Sequence, residues 1–259
     1  MSKKRCHFFL TVLVAVATLL TASANVQAAE FSVSPIKLFF DRQTRSAVVT
    51  VSNDADEPLV VQMSLARWTQ DAEAKDVYTE SEDFQFFPRL MTIPSKDKRV
   101  IRIGVRTPPA GSGEVTYRLF INEVLEPKEK TTTPQVRLAF RFALPIFVAA
   151  ASPKPAGEIG GVDFESGTDK NAGKIMVRVT VRNTGTENFR IETLRLATPQ
   201  GESIKEADGW YLLPAASRIQ TLVIDPVNCG KRKQFDLTVK ADKLALSKLL
   251  DVPPAACRK

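Results

Sequence analysis

In a chain of 259 residues the only histidine is His7, within a segment that reads as removable, so histidine triads and common zinc sites are excluded from the remainder. The formal charge of +7 falls to +4 once that segment takes away three basic residues and no acidic ones, a weak pull on anionic partners. About 230 residues are left, enough for two domains of ordinary size.

The removable segment is residues 1–28. Lys3, Lys4 and Arg5 precede an apolar run over 8–20, and Val26-Gln27-Ala28 offers small residues for cleavage, with 22–24 as a weaker site. The run is too short to span a membrane, so this is a secretory signal peptide and the mature chain is exported and soluble. Cys6 precedes the run, the wrong place for a lipid-anchored cysteine. Cys229 and Cys257 remain, and an even pair in an exported chain reads as a disulfide. Closing that loop contributes roughly 3–4 kcal/mol in the chain-entropy view.

Residues 31–41, FSVSPIKLFFD, read as a strand interrupted at Pro35, which marks an edge or a switch between sheets. Strands follow at 46–53 and 59–68, then an acidic, loop-like stretch over 69–83. Further strands are expected at 84–93 (broken by Pro88), 99–105 and 114–127, ahead of a polar connection. The longest alternation is VRLAFRFALPIFV, 136–148, with Val136, Leu138, Phe140, Phe142, Leu144, Ile146 and Val148 on one side. Two readings stay open for it. Either a central strand buries all of these in its own core, or the first half offers Val136, Leu138, Phe140 and Phe142 to a partner. An alternating apolar edge is an aggregation hazard unless something pairs with it.

Seven strand candidates with regular turn signals and no helical periodicity point to an immunoglobulin-like sandwich over 29–150. Ala, Pro and Gly dominate 149–161, read as a linker and the entry to a second, smaller sandwich over 151–259. Strands are expected there at 175–183, 189–198, 210–224 and 231–240, with a short helix over 241–250. The fold class is all-β, two sandwiches in tandem.

In order along the chain, VSPIKLFFD, VTVSNDADEPL, FPRLMTIPSKDKRVIRI, YRLFINEV, LAFRFALPIFVA, VTVRNTGTENFRIETLRL and GWYLLPAASR resemble the periplasmic chaperones of chaperone–usher pilus assembly. The resemblance covers essentially the whole mature chain. It implies a boomerang of two immunoglobulin-like domains, pilin (fimbrial) subunits as partners and delivery to an outer-membrane usher. It also implies that the last strand of the first domain is lent to a subunit lacking one, a form of strand addition. In many members a lysine of that strand helps hold the subunit's terminal carboxylate; here the matching position is Pro145, a wording closer to the archaic branch. Lys37 matches the first-strand basic position. Arg118, or failing it Arg141, is expected to replace the missing lysine.

Other readings fare worse. Glu80, Glu82 and Asp83 cluster in one loop and read as a solvated face rather than a catalytic pair. A secreted pilin or adhesin would be one incomplete sandwich, not two complete ones. Lys96, Lys98, Arg99 and Arg102 lack interleaved exposed aromatics, so nucleic acid is not an expected partner. Lys231-Arg232-Lys233 reads as a turn surface, and Trp68 and Trp210 as sandwich aromatics. No cofactor, metal site, catalytic residue or membrane insertion is expected. Self-association of the free protein to cover its strand edge stays open.

Overall fold

The computed structural model describes residues 31–107, 113–125, 138–229 and 232–253. The expected signal peptide, Val136 and Cys257 lie outside them. The first half runs β1 (Phe31–Ser34), β2 (Leu38–Phe40), β3 (Ser46–Asn53), β4 (Leu59–Gln70), β5 (Asp76–Glu80), β6 (Phe84–Phe87), β7 (Leu90–Ile93), β8 (Lys98–Val105), β9 (Val115–Glu123) and β10 (Arg141–Val148). It forms two sheets, ordered β1-β3-β8-β6 and β2-β10-β9-β4-β5, with β7 also paired to β4. Pro35 stands where the chain passes from the first sheet to the second, as its missing donor suggests.

The second half runs β11 (Gly157–Ser166), β12 (Ile175–Asn183), β13 (Phe189–Ala197), β14 (Ser203–Asp208), β15 (Tyr211–Leu212), β16 (Ser217–Ile224), β17 (Gln234–Ala241) and β18 (Ala245–Asp251). Its sheets are β11-β12-β16 and β14-β13-β17-β18, with β15 on β13. Alternation dictates burial: in β12 every second residue from Ile175 to Asn183 is buried, and the residues between are not. The fold is the expected pair of β-sandwiches.

Three local expectations are corrected. The 241–250 segment is not a helix; β18 pairs antiparallel with β17 along its whole length. The acidic stretch is not all loop, since β4 continues to Gln70 and turns back as β5. The expected linker is shorter, because β11 begins at Gly157 and absorbs the glycines in a register shift between Ile159 and Val162.

Each sandwich has its own core, and the two meet at a seam. Trp68, Ala74 and Phe147 from the first half cluster with the buried residues of the second. An asparagine corner recurs in both halves. Asn53 Nδ2 donates to the carbonyls of Glu57 (2.8 Å), Ile93 (3.1 Å) and Pro94 (3.0 Å), while its Oδ1 accepts from Ala55 N. Asn183 Nδ2 donates to Glu187 and Leu212 carbonyls, both at 2.9 Å, and its Oδ1 accepts from Gly185 N. Buried polar groups persist only when paired in this way. The second corner fixes Leu212, next to Tyr211 at the seam.

Candidate functional site

The 136–148 alternation produces a strand that outgrows its own core. Along the core-facing side of β10 the exposure falls steadily: Leu138 is 71% exposed, Phe140 38%, Phe142 half-buried, Leu144 3% and Ile146 0%. Phe142 rests edge-on against Phe31 of β1, ring centroids 5.0 Å apart, and Phe140 lies 6.4 Å from the same ring. Among the described residues, β1 of the opposing sheet begins at Phe31. Leu144 and Ile146 seal the first sandwich; Leu138 and Phe140 do not.

The backbone of the same stretch is half-paired. β9 lines one side of β10 from Arg141 to Val148. On the other side, β2 pairs in parallel only with Ile146, Phe147 and Val148. The outer edge of 141–145 therefore has no strand partner among the described residues, and Pro145 sits within it, where a sheet tolerates a missing donor. An unpaired edge beside uncovered apolar side chains is a template for another strand.

The opposite face of β10 looks into the seam, where cations and aromatic rings interleave. Arg118 of β9 stands directly across from Pro145. Its Cζ lies 3.8 Å from the Trp68 ring centroid and 5.9 Å from that of Tyr211, and its Nη1 donates to the Ala143 carbonyl at 3.0 Å. Lys37 Nζ approaches the same Tyr211 ring at 5.7 Å. Phe147 completes the group, 6.3 Å from Trp68 and 5.7 Å from Tyr211. Neither cation forms an ion pair among the described residues.

Arg141 is elsewhere. It is four residues from Pro145, about 13 Å along a strand. It is bound to Asn122 Oδ1 at 2.5 Å and lies over the Phe120 ring at 5.3 Å. Of the three basic residues singled out from the sequence, Lys37 and Arg118 come together and Arg141 does not. Trp68 is a sandwich aromatic with an added role, being 1% exposed at the seam and under the Arg118 guanidinium. Trp210 is half-buried, with Arg218 over its ring. Cys229 is buried and disulfide-bonded; its expected partner, Cys257, lies outside the described residues.

Two residues at the site escaped the sequence reading. Tyr211 is brought to Lys37 and Arg118 from the other half of the chain. Gln70 locks it there: its Nε2 donates to the Tyr211 carbonyl, and its Oε1 accepts from Leu213 N, each at 3.0 Å. The one legible hint was the WYLLPAASR motif itself.

Of the carboxylate cluster, Glu80 is exposed at the end of β5 and Asp83 is tied to its neighbours. Asp83 Oδ2 accepts from the Tyr117 hydroxyl at 2.7 Å and from Ser81 Oγ at 3.0 Å. Burial first, then the Asp83 bond, pushes the Tyr117 phenol well above its ordinary range. Glu82 is exposed, facing Arg106. Lys96 and Arg99 pair with Asp56 and Asp97 on the surface. No helix among the described residues is long and apolar enough to cross a membrane, and no cluster of metal-ligating side chains is found among them.

Comparison with known proteins agrees with this architecture. Residues 30–154 match the family described as pili and flagellar-assembly chaperone, PapD N-terminal domain. The CsuC–CsuE chaperone–tip adhesion subunit pre-assembly complex of archaic Csu pili from Acinetobacter baumannii is similar at 18% identity and a TM-score of 0.60, over 86% of this chain and 98% of that one. The SafB chaperone, solved with the SafA pilin of Salmonella enterica, is 16% identical with a TM-score of 0.53, over 85% and 96%. The YadV chaperone gives 16% and 0.53, over 86% and 99%. At these identities the likeness is one of fold. No curated protein sequence matches. Both family and neighbours are assembly chaperones, not enzymes.

Proposed function

Since residues 30–154 match the pili and flagellar-assembly chaperone family, we propose that the protein captures pilin subunits by lending them the free edge of β10 and delivers them to an outer-membrane usher. Family members work in the periplasm, and the signal-like N-terminus fits export there. The observation that supports strand donation is the half-paired stretch 141–145 continuing from Leu138 and Phe140, which their own sandwich leaves exposed. A subunit strand paired there gains backbone hydrogen bonds, and its groove takes Leu138, Phe140 and, ahead of them, Val136. Burying side chains of this size yields about 1.5–3 kcal/mol each before the cost of ordering the partner.

Lys37 and Arg118 supply the register. A repetitive apolar strand slips easily, and a fixed end-point prevents it. Two uncompensated cations on one ring suit a subunit's terminal carboxylate, with Arg118 standing in from β9 for the lysine absent at Pro145. Arg118→Ala and Lys37→Ala each weaken capture about 10- to 100-fold, while the melting temperature moves little. Pull-down of the co-expressed subunit measures this, and undiminished capture in the double variant places the anchor elsewhere. The whole reading is tested by purification from periplasm: a one-to-one complex with a small β-protein supports it. A chain that polymerises with itself supports the pilin alternative, which the pairing of four sheets into two sandwiches disfavours.

A further inference from the structure

Tyr211 comes from the second sandwich, yet both cations assigned to the carboxylate site lie against its ring. Its backbone is held on two sides. Gln70 of the first sandwich binds the Tyr211 carbonyl and the Leu213 N–H, and Asn183 of the second binds the intervening Leu212 carbonyl. The ring is further packed edge-on against Trp68 at 5.6 Å, the surface on which Arg118 stacks. The Tyr211 hydroxyl bonds to no described residue, so it is a free donor on a ring that two cations approach, neither of them ion-paired among the described residues.

We propose that Tyr211 is a third residue of the carboxylate site, its ring positioning Lys37 and Arg118 and its hydroxyl donating to the bound carboxylate. The inference rests on the carboxylate-anchor reading above. It adds that the site is assembled from both sandwiches, so subunit capture depends on their orientation and on the Gln70 clasp. A cation over an aromatic face is held without being neutralised, which leaves the full charge for the ligand. An arginine stacked on one ring and flanked by another loses little rotamer freedom on binding, which favours an ordered, directional contact.

The probe is the peptide N-acetyl-Thr-Val-Tyr with a free terminal carboxylate, compared with the same peptide amidated. Each is titrated into the full chain, with the Trp68 indole N–H signal followed by nuclear magnetic resonance. The free acid perturbs that signal and the amide does so at least about tenfold more weakly, as expected for one charge-assisted contact. Tyr211→Phe keeps the ring and binds the acid about five- to tenfold more weakly. Tyr211→Ala loses the preference for acid over amide. Gln70→Ala lowers affinity for the acid while leaving each sandwich folded, as read by circular dichroism. Equal binding of acid and amide by the unaltered protein overturns the anchor reading and this inference with it. A preference for the acid that persists undiminished in Tyr211→Phe and Tyr211→Ala overturns this inference alone.

Discussion

Leu138→Asp, and Phe140→Asp with it, abolishes pilin capture and leaves the free protein folded. Leu138 is 71% exposed and meets no core, so a charge there stays in water and shifts the melting temperature by no more than about 2 °C. In the complex the same charge would enter the subunit's apolar groove, where an unpaired carboxylate cannot be kept ionised cheaply. Loss of the apolar contact alone is worth about 1.5–3 kcal/mol, and desolvation adds to it. Ile146, on the same side of β10 but fully buried, behaves oppositely: Ile146→Ala costs about 2–5 kcal/mol of stability. Thermal unfolding and co-purification, run on all three variants, separate the lent part of the strand from the sealing part. Unfolding of Leu138→Asp would mean that this side chain belongs to the protein's own core.

Trp68→Ala has the second large effect, and it falls on stability and capture together. Trp68 is 1% exposed and packs with Phe147 and Tyr211 at the seam, so truncation costs about 3–5 kcal/mol. It also removes the ring on which Arg118 stacks; the Arg118 Nε is buried without a partner, and its Nη1 donates to the Ala143 carbonyl. Circular dichroism should record a lower melting temperature, and pull-down a weaker complex at temperatures where the variant is still folded. Trp210, half-buried at the edge of the second sandwich, gives a smaller shift. Equal shifts for the two tryptophans would remove Trp68 from the seam.

The contrast between what the sequence reveals and what it hides follows from where each signal resides. β3, β12 and the first seven residues of β4 bury one face, so alternation in the residues maps directly onto burial there, whereas β13 changes phase at its register shift between Ile191 and Thr193. β5 is exposed at every position and has no alternation to detect. β18, ALSKLLD, buries only Leu250; its Leu, Lys and Ala favour helix locally, and pairing with β17 overrides them. At the site, β10 was legible because its apolar period runs past the length one sandwich can cover. Lys37 and Arg118 were found through a family motif and its departure at Pro145. Tyr211 and Gln70 act across the seam between the two halves of the chain, and nothing in local patterning encodes a contact of that range.

Hydrogen–deuterium exchange, comparing the free protein with the complex purified from periplasm, tests strand donation most directly. In the free protein the amides of 138–144 that point away from β9 are open to water, since no described strand covers that edge. A subunit strand paired there closes them. Slowed exchange confined to that edge, with the Ile146–Val148 amides protected in both states, is the predicted result. A complex that forms with exchange over 138–144 unchanged, and with protection on another surface, would contradict it.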